Sequence, residues 1–363
     1  MVAFDEANST LVLRPEKKGG SPHRAWFFVR LCNLTPGHPY TIKIVENCWA
    51  GVYSYCYATD GVWNHFAEYK KDNATDYSFF FRPTADTLYM AMMPPYFQAH
   101  LDRLIAQTTA LNKLSVKDFW TSEEGRSGKL FEIGNPKATC RVWITARMHA
   151  FEAVSSWAAE GLIRWALSAD SDAQWLATNA RLYVVPMVDV DSVHNGSSGK
   201  HRTPICFARD ARTNPHWNAI KALLHEWERQ GPPDFFLDLH GPGGEVTAAY
   251  FYAPQTSLTT PAYERDLATF THLLSSTLPT AMRYEEWVYR CPLGPDDQGQ
   301  DIVGTSYFYL HQRYFGKSKL RIALGLETPW SPDYTTDVFS ECGASYGKAI
   351  SRFLQIGQMP DST

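Results

Sequence analysis

Three apolar runs, CRVWITA at 140–146, DFFLDL at 234–239 and LRIALGL at 320–326, are too continuous for strands with one wet face. Short runs of this kind, bounded by turn signals, predict strands buried on both faces of a parallel sheet. Between them the pattern changes to helical spacing. From Glu152 to Ala169, the residues Val154, Trp157, Ala158, Leu162, Trp165 and Ala166 mark one face of an amphipathic helix. RLYVVPMVD at 181–189 predicts a further strand, and NPHWNAIKALLHEWERQG a helix from about Asn214, with Pro215 in its first turn and a stop at Gly231, Pro232 and Pro233. This alternation predicts an α/β fold: a mixed, mostly parallel sheet with helices on both faces.

The first hundred residues read differently. AWFFVRLCNL, YTIKIVEN, YSYCYATDG, YSFFFRP and TADTLYMAMM are strand-like pieces separated by turn clusters such as TPGHP. Short strands at roughly 8- to 12-residue spacing predict an antiparallel β-sandwich. Its aromatic residues, among them Trp26, Phe27, Tyr57, Trp63 and Phe79, suit a sugar-binding platform or a packed core, and core packing is the expectation. After the PPY at 94–96, Phe97, Leu101, Leu104 and Ile105 fall at helical spacing. The expected division is therefore a sandwich domain at 1–97 and an α/β domain at 98–363.

Composition narrows the class. The chain is 44% hydrophobic and 20% charged with a net charge of -4, an ordinary globular balance without the basic footprint that nucleic acid requires. No nucleic-acid or membrane partner is expected, since no stretch approaches 18 uncharged apolar residues. Residues 1 to 20 hold Asp5, Glu6 and Glu16 and no signal-like apolar core. Seven scattered cysteines without a CxxC pair suit reduced thiols. A cytoplasmic setting is the expectation, and the oligomeric state stays open.

Chemistry-bearing residues end each buried run. His149 and Glu152 follow the first, three apart in HAFE; His240 ends the second and Glu327 the third. A lone HxxE has little specificity, but in open α/β sheets ligands bind outside the carboxyl ends of the strands. Two His and one Glu with a fourth position open form a catalytic zinc set. Asp238, two before His240, shares its face of the strand and fits support of a ligand, support of a nearby arginine, or a cap on the following GPGG turn.

RMHAFE at 147–152, VPMVDVDSVHNGSSGKHR at 185–202, DLHGP at 238–242 and ALGLETP at 323–329 together resemble a zinc metallocarboxypeptidase of the carboxypeptidase A superfamily. WFFVR, YTIKIVE and MMPPYF resemble the accessory domain of the cytosolic carboxypeptidase subgroup, of bacterial type. The resemblance implies a Zn2+ enzyme acting on a peptide or protein C-terminus, with a hint of acidic terminal residues. It implies His149, Glu152 and His240 as zinc ligands, Glu327 as general base and acid, and Arg202 as the oxyanion-steadying arginine. Arg209 takes the place of the arginine that grips the terminal carboxylate, and a shifted alignment uses Arg212. Tyr307 and Tyr309 are candidates for the family's mobile tyrosine.

The chain departs from the family at Ala208 and Cys206, where an Asn and an Asp are usual. The altered carboxylate clamp opens a second reading, a zinc amidase or N-deacylase of small amino-acid derivatives. A third is a non-catalytic binding module on the same scaffold. Five further histidines, His194, His201, His216, His225 and His311, have no spacing partner for a second metal site.

Overall fold

The computed structural model describes residues 2–47, 56–58, 61–66, 69–200, 218–241, 248–283, 288–291, 319–330 and 334–357. The N-terminal part builds two small sheets. One runs β1 (Val2–Asp5), β2 (Thr10–Leu13), β4 (Tyr40–Ile44), β8 (Tyr77–Phe81) and β7 (Tyr69–Lys71); the other runs β3 (Phe28–Leu31), β9 (Leu88–Ala91), β5 (Cys56–Ala58) and β6 (Asn64–His65). Period-2 burial along β4 sends Tyr40, Ile42 and Ile44 inward. The expected aromatic core is present: Trp26, Phe27, Tyr77 and Phe79 are buried, and Tyr57 of one sheet meets Phe81 of the other at 6.4 Å between ring centroids. One pairing departs from the antiparallel expectation. β2 and β4 run parallel, because the chain crosses to the second sheet as β3 before returning.

The large sheet has eight described strands in the order β10 (Leu114–Thr121), β11 (Ser127–Gly134), β13 (Ala180–Val185), β12 (Cys140–Ala146), β14 (Phe235–His240), β17 (Ile322–Glu327), β15 (Tyr250–Pro254) and β16 (Val288–Cys291). The three apolar runs are thus β12, β14 and β17, adjacent and mutually parallel at its centre. Antiparallel pairs flank them: β11 on β13, and β15 on β17. The helices are α1 (Gln98–Thr109), α2 (Ala153–Ala166), α3 (Ser171–Asn179), α4 (Val190–Asn195), α5 (Asn218–Gln230), α6 (Pro261–Thr277) and α7 (Thr336–Ile356). Residues 214–217, where the fifth helix was expected to start, lie outside the described residues.

Helices cover both faces, as two consecutive residues of β14 demonstrate. Phe236 packs edge-on against Trp227 of α5, while Phe235 meets Phe270 of α6 and Phe353 of α7. Opposite faces of a strand two-deep in helices leave no wet side, which is why the run is continuously apolar. α2 and α7 approach closely through glycine: a Cβ on Gly343 would lie 1.8 Å from the Ala158 carbonyl oxygen, and one on Gly161 2.0 Å from that of Ser340. The apolar core is continuous from the small sheets into the large one. At the junction the Tyr96 hydroxyl donates to Glu160 at 2.9 Å and the Trp157 indole N–H to the Pro94 carbonyl at 3.2 Å.

Candidate metal centre

The site lies where β12, β14 and β17 end. Parallel register pairs Val142 with Phe235 and Phe235 with Ile322, so the carboxyl ends finish level and His240 stands opposite Glu327. After Ala146 the chain makes a tight turn before α2, with the Glu152 N–H donating to the His149 carbonyl at 3.1 Å. Arg147 enters this turn in the left-handed region, at φ 66°. Its buried guanidinium bonds the Ala150 carbonyl at 2.5 Å and the Tyr96 carbonyl at 3.2 Å, tying the turn to the N-terminal junction.

Within that frame, both oxygens of the buried Glu152 carboxylate face an imidazole: His149 Nδ1 at 2.8 Å from Oε1 and His240 Nδ1 at 2.9 Å from Oε2. The two rings lie 5.0 Å apart. One ligand atom from each of the three residues falls within 4.8 Å of the others. Behind His240, Asp238 accepts the Nε2–H at 2.9 Å and a hydrogen bond from the Thr145 hydroxyl at 2.7 Å. The contact to His240 is the arrangement that support of a ligand requires, and it leaves Nδ1 as the nitrogen aimed into the site. The Lys200 ammonium reaches Glu152 Oε1 at 3.4 Å and lies 5.6 Å above the Phe151 ring.

Burial and charge set the protonation of this cluster. Burial pushes His149 down to about 3, toward the neutral imidazole that metals require. Burial also works against the Glu152 anion, but His149, His240 and Lys200 outweigh it and hold the carboxyl well below its usual range. For His240, burial opposes the charge, and Asp238 and Glu152 overcome it and hold the ring well above its ordinary value. Glu327 is pushed up to about 7, first by burial and then by the Glu152 charge. Its Oε2 is buried and has no hydrogen-bond partner among the described residues.

These residues fit a zinc ion. Two imidazole nitrogens and a carboxylate converge as a His-Glu-His set, and a buried carboxylate oxygen in the adjacent strand still needs a partner. Residues 102–203 match the family described as zinc carboxypeptidase.

Over those residues the chain is similar to zinc carboxypeptidases.

The matched stretch includes His149 and Glu152, while His240 and Glu327 lie beyond it and reach the site through the sheet. Over 116 residues the chain is 33% identical to mouse (Mus musculus) cytosolic carboxypeptidase 4, covering 28% of this chain and 10% of that protein. The human (Homo sapiens) protein of the same name is 32% identical over 104 residues, 27% of this chain and 9% of that protein. The chain therefore spans about a tenth of the length of the curated relatives it matches. A metallo-carboxypeptidase from Pseudomonas aeruginosa shares the fold at a TM-score of 0.83 and 21% identity, over 98% of this chain and 96% of that one. A metallo-carboxypeptidase from Burkholderia cenocepacia does so at a TM-score of 0.81 and 19% identity, over 98% and 96%.

Of the residues expected from sequence, His149, Glu152 and His240 come together, with Glu327 on the neighbouring strand. Arg202, Arg209, Arg212, Tyr307 and Tyr309 lie outside the described residues, as do His201, His216 and His311. His194 and His225 are exposed. Lys200, Thr145 and the serines beside Lys200 went unnoticed in sequence, because no periodicity or ligand spacing marks a residue that acts through a loop or, as Thr145 does, from a neighbouring strand. A cavity of about 970 Å³ opens between the N-terminal strands and α4, but none of the four site residues is among its described lining. Among the described residues no helix is long and apolar enough to cross a membrane. Cys32, Cys140 and Cys342 are free thiols.

Proposed function

We propose that this chain is a zinc-dependent metallocarboxypeptidase releasing residues from the C-termini of peptides or proteins. The observation that carries the reading is the approach of two imidazole Nδ1 atoms to the two oxygens of one buried carboxylate, beside Glu327 at the end of the next strand. His149, Glu152 and His240 would hold the zinc. When bound, zinc polarises a carbonyl and brings the pKa of a water toward about 7.

Glu327 takes a proton from water as the water oxygen bonds to the scissile carbonyl carbon. The carbon–nitrogen bond then breaks, and Glu327 passes that proton to the leaving amine. Asp238 holds His240 in one tautomer and orientation throughout. Arg202 is assigned to the oxyanion, where a fixed positive charge acts most strongly on the transition state. Arg209, or Arg212 in the shifted alignment, is assigned to the substrate carboxylate, and Tyr307 or Tyr309 to the mobile tyrosine. The Pseudomonas aeruginosa neighbour was solved with (2-guanidinoethylmercapto)succinic acid, a dicarboxylic acid, which supports a carboxylate-ended ligand. We assign residues 1–97 as an accessory domain, 98–363 as the catalytic domain, and a cytoplasmic location.

The test is release of C-terminal amino acids from a peptide library, before and after chelation and after zinc is restored. Release that stops on chelation and returns with zinc is expected. Release that persists after complete zinc removal overturns the reading.

A further inference from the structure

We propose that Ser21, in the N-terminal part of the chain, is a positioning residue for the metal site, acting through the 197–200 loop on the His149–Glu152 turn. This rests on the zinc reading above. Ser21 is buried, and its Oγ lies 2.7 Å from the Lys200 carbonyl, 2.6 Å from Ser198 Oγ and 3.3 Å from the His23 N–H. A hydroxyl has one proton, and a carbonyl can only accept. The Ser21 hydroxyl therefore donates to Lys200, and the Ser198 hydroxyl donates to Ser21. A second bond runs the other way: the buried Ser197 hydroxyl donates to the Lys18 carbonyl at 2.6 Å and accepts from the Gly199 N–H at 3.3 Å.

The clip is tight on both sides. Gly19 has φ +61°, and a Cβ there would lie 2.9 Å from Ser197 Oγ. Gly199 has φ +69°, and a Cβ there would lie 2.7 Å from the Ala150 nitrogen and from Asp189 Oδ2. The loop is thus pressed between the N-terminal strap and the ligand-bearing turn. Its far side completes the link: the Ser198 carbonyl accepts the Phe151 N–H at 2.9 Å, within the His149–Glu152 turn, and Lys200 Nζ reaches Glu152 Oε1 at 3.4 Å. Two ligands of the three are carried by that turn. Displacing the loop releases Phe151 and moves a positive charge relative to Glu152, and both change how well the ligands converge.

The experiment is zinc affinity by chelator competition on the 363-residue chain, at a temperature well below each variant's melting midpoint. Ser21→Ala is expected to weaken zinc binding about tenfold, in the range found for groups that orient metal ligands. Ser198→Ala is expected to do the same, and the double variant to be no worse than either single one, because the hydroxyls act as one chain. Ser351→Ala is the control for general destabilisation. Its buried hydroxyl also makes a 2.7 Å bond to a carbonyl, that of Asp172, but between α7 and the start of α3. Unchanged zinc affinity in both serine variants, or an equal loss in Ser351→Ala, overturns the proposal. A wild-type chain that binds no zinc sinks the metal reading itself, so the two failures are distinct; if Ser21→Ala does not fold, Ser198→Ala decides.

Discussion

His240 Nε2 lies 2.9 Å from the Asp238 carboxylate, two residues back along the same strand. The pleat puts both side chains on one face, and the Thr145 hydroxyl, in the parallel neighbour β12, holds the other Asp238 oxygen at 2.7 Å. A ligand histidine is thereby fixed by its own strand and the next.

Asp238→Ala removes that support while leaving all three ligands in place. Zinc affinity is expected to fall by about 10- to 100-fold, with the protein still folded. Chelator competition alongside far-ultraviolet circular dichroism checks it; an affinity equal to the wild type's would show that Asp238 does not orient the ligand.

Glu327→Gln keeps the shape of the side chain and removes the proton acceptor. Turnover of a peptide substrate is expected to drop by roughly 10²- to 10⁴-fold while zinc binding is retained. Steady-state kinetics and metal analysis on the same preparation separate the two effects. Near-normal turnover would take the general-base role from Glu327.

Gly343→Ala drives a Cβ against the Ala158 carbonyl oxygen of α2, a backbone atom that cannot rotate away. Two helices must then separate, and a loss of about 3 kcal/mol is expected, at the upper end for an overpacked core. A lowered melting midpoint by calorimetry is the readout, and an unchanged one would mean that the helices have slack.

Burial pushes the Cys140 and Cys342 thiols up to about 12. A thiol reacts as its thiolate, and at pH 8 that leaves only about one molecule in ten thousand ionised. Both are expected to stay unlabelled by iodoacetamide in the native protein and to label on denaturation, whereas the exposed Cys32 labels natively. Mass spectrometry of the digested protein reports each site; rapid native labelling of Cys342 would contradict its burial.

The chain order of strand and helix was legible because it is written in local periodicity. Continuous apolar runs announced β12, β14 and β17, and helical spacing announced α1 and α2. HAFE put His149 and Glu152 three apart, and it was their place directly after a buried run, with the family resemblance, that singled the pair out rather than the spacing. The hairpin of β10 and β11 was less visible, since its outer strand buries little and its apolar pattern is weak. That β2 would lie parallel to β4 was not visible at all, because pairing direction depends on where the intervening strand goes.

By itself, then, the sequence determined which segments are strands or helices and which residue types stand at their ends, since both depend on neighbours a few positions away. Only the tertiary structure decided that β12, β14 and β17 are adjacent and level, that Asp238 serves His240, and that Ser21 grips the loop bearing Lys200. Most of those relations join residues far apart in the chain, as with Glu152 and His240, 88 positions apart, and Ser21 and Lys200, 179 apart. They follow from the packing of both sheet faces against helices, which sets strand order and register and has no local signature.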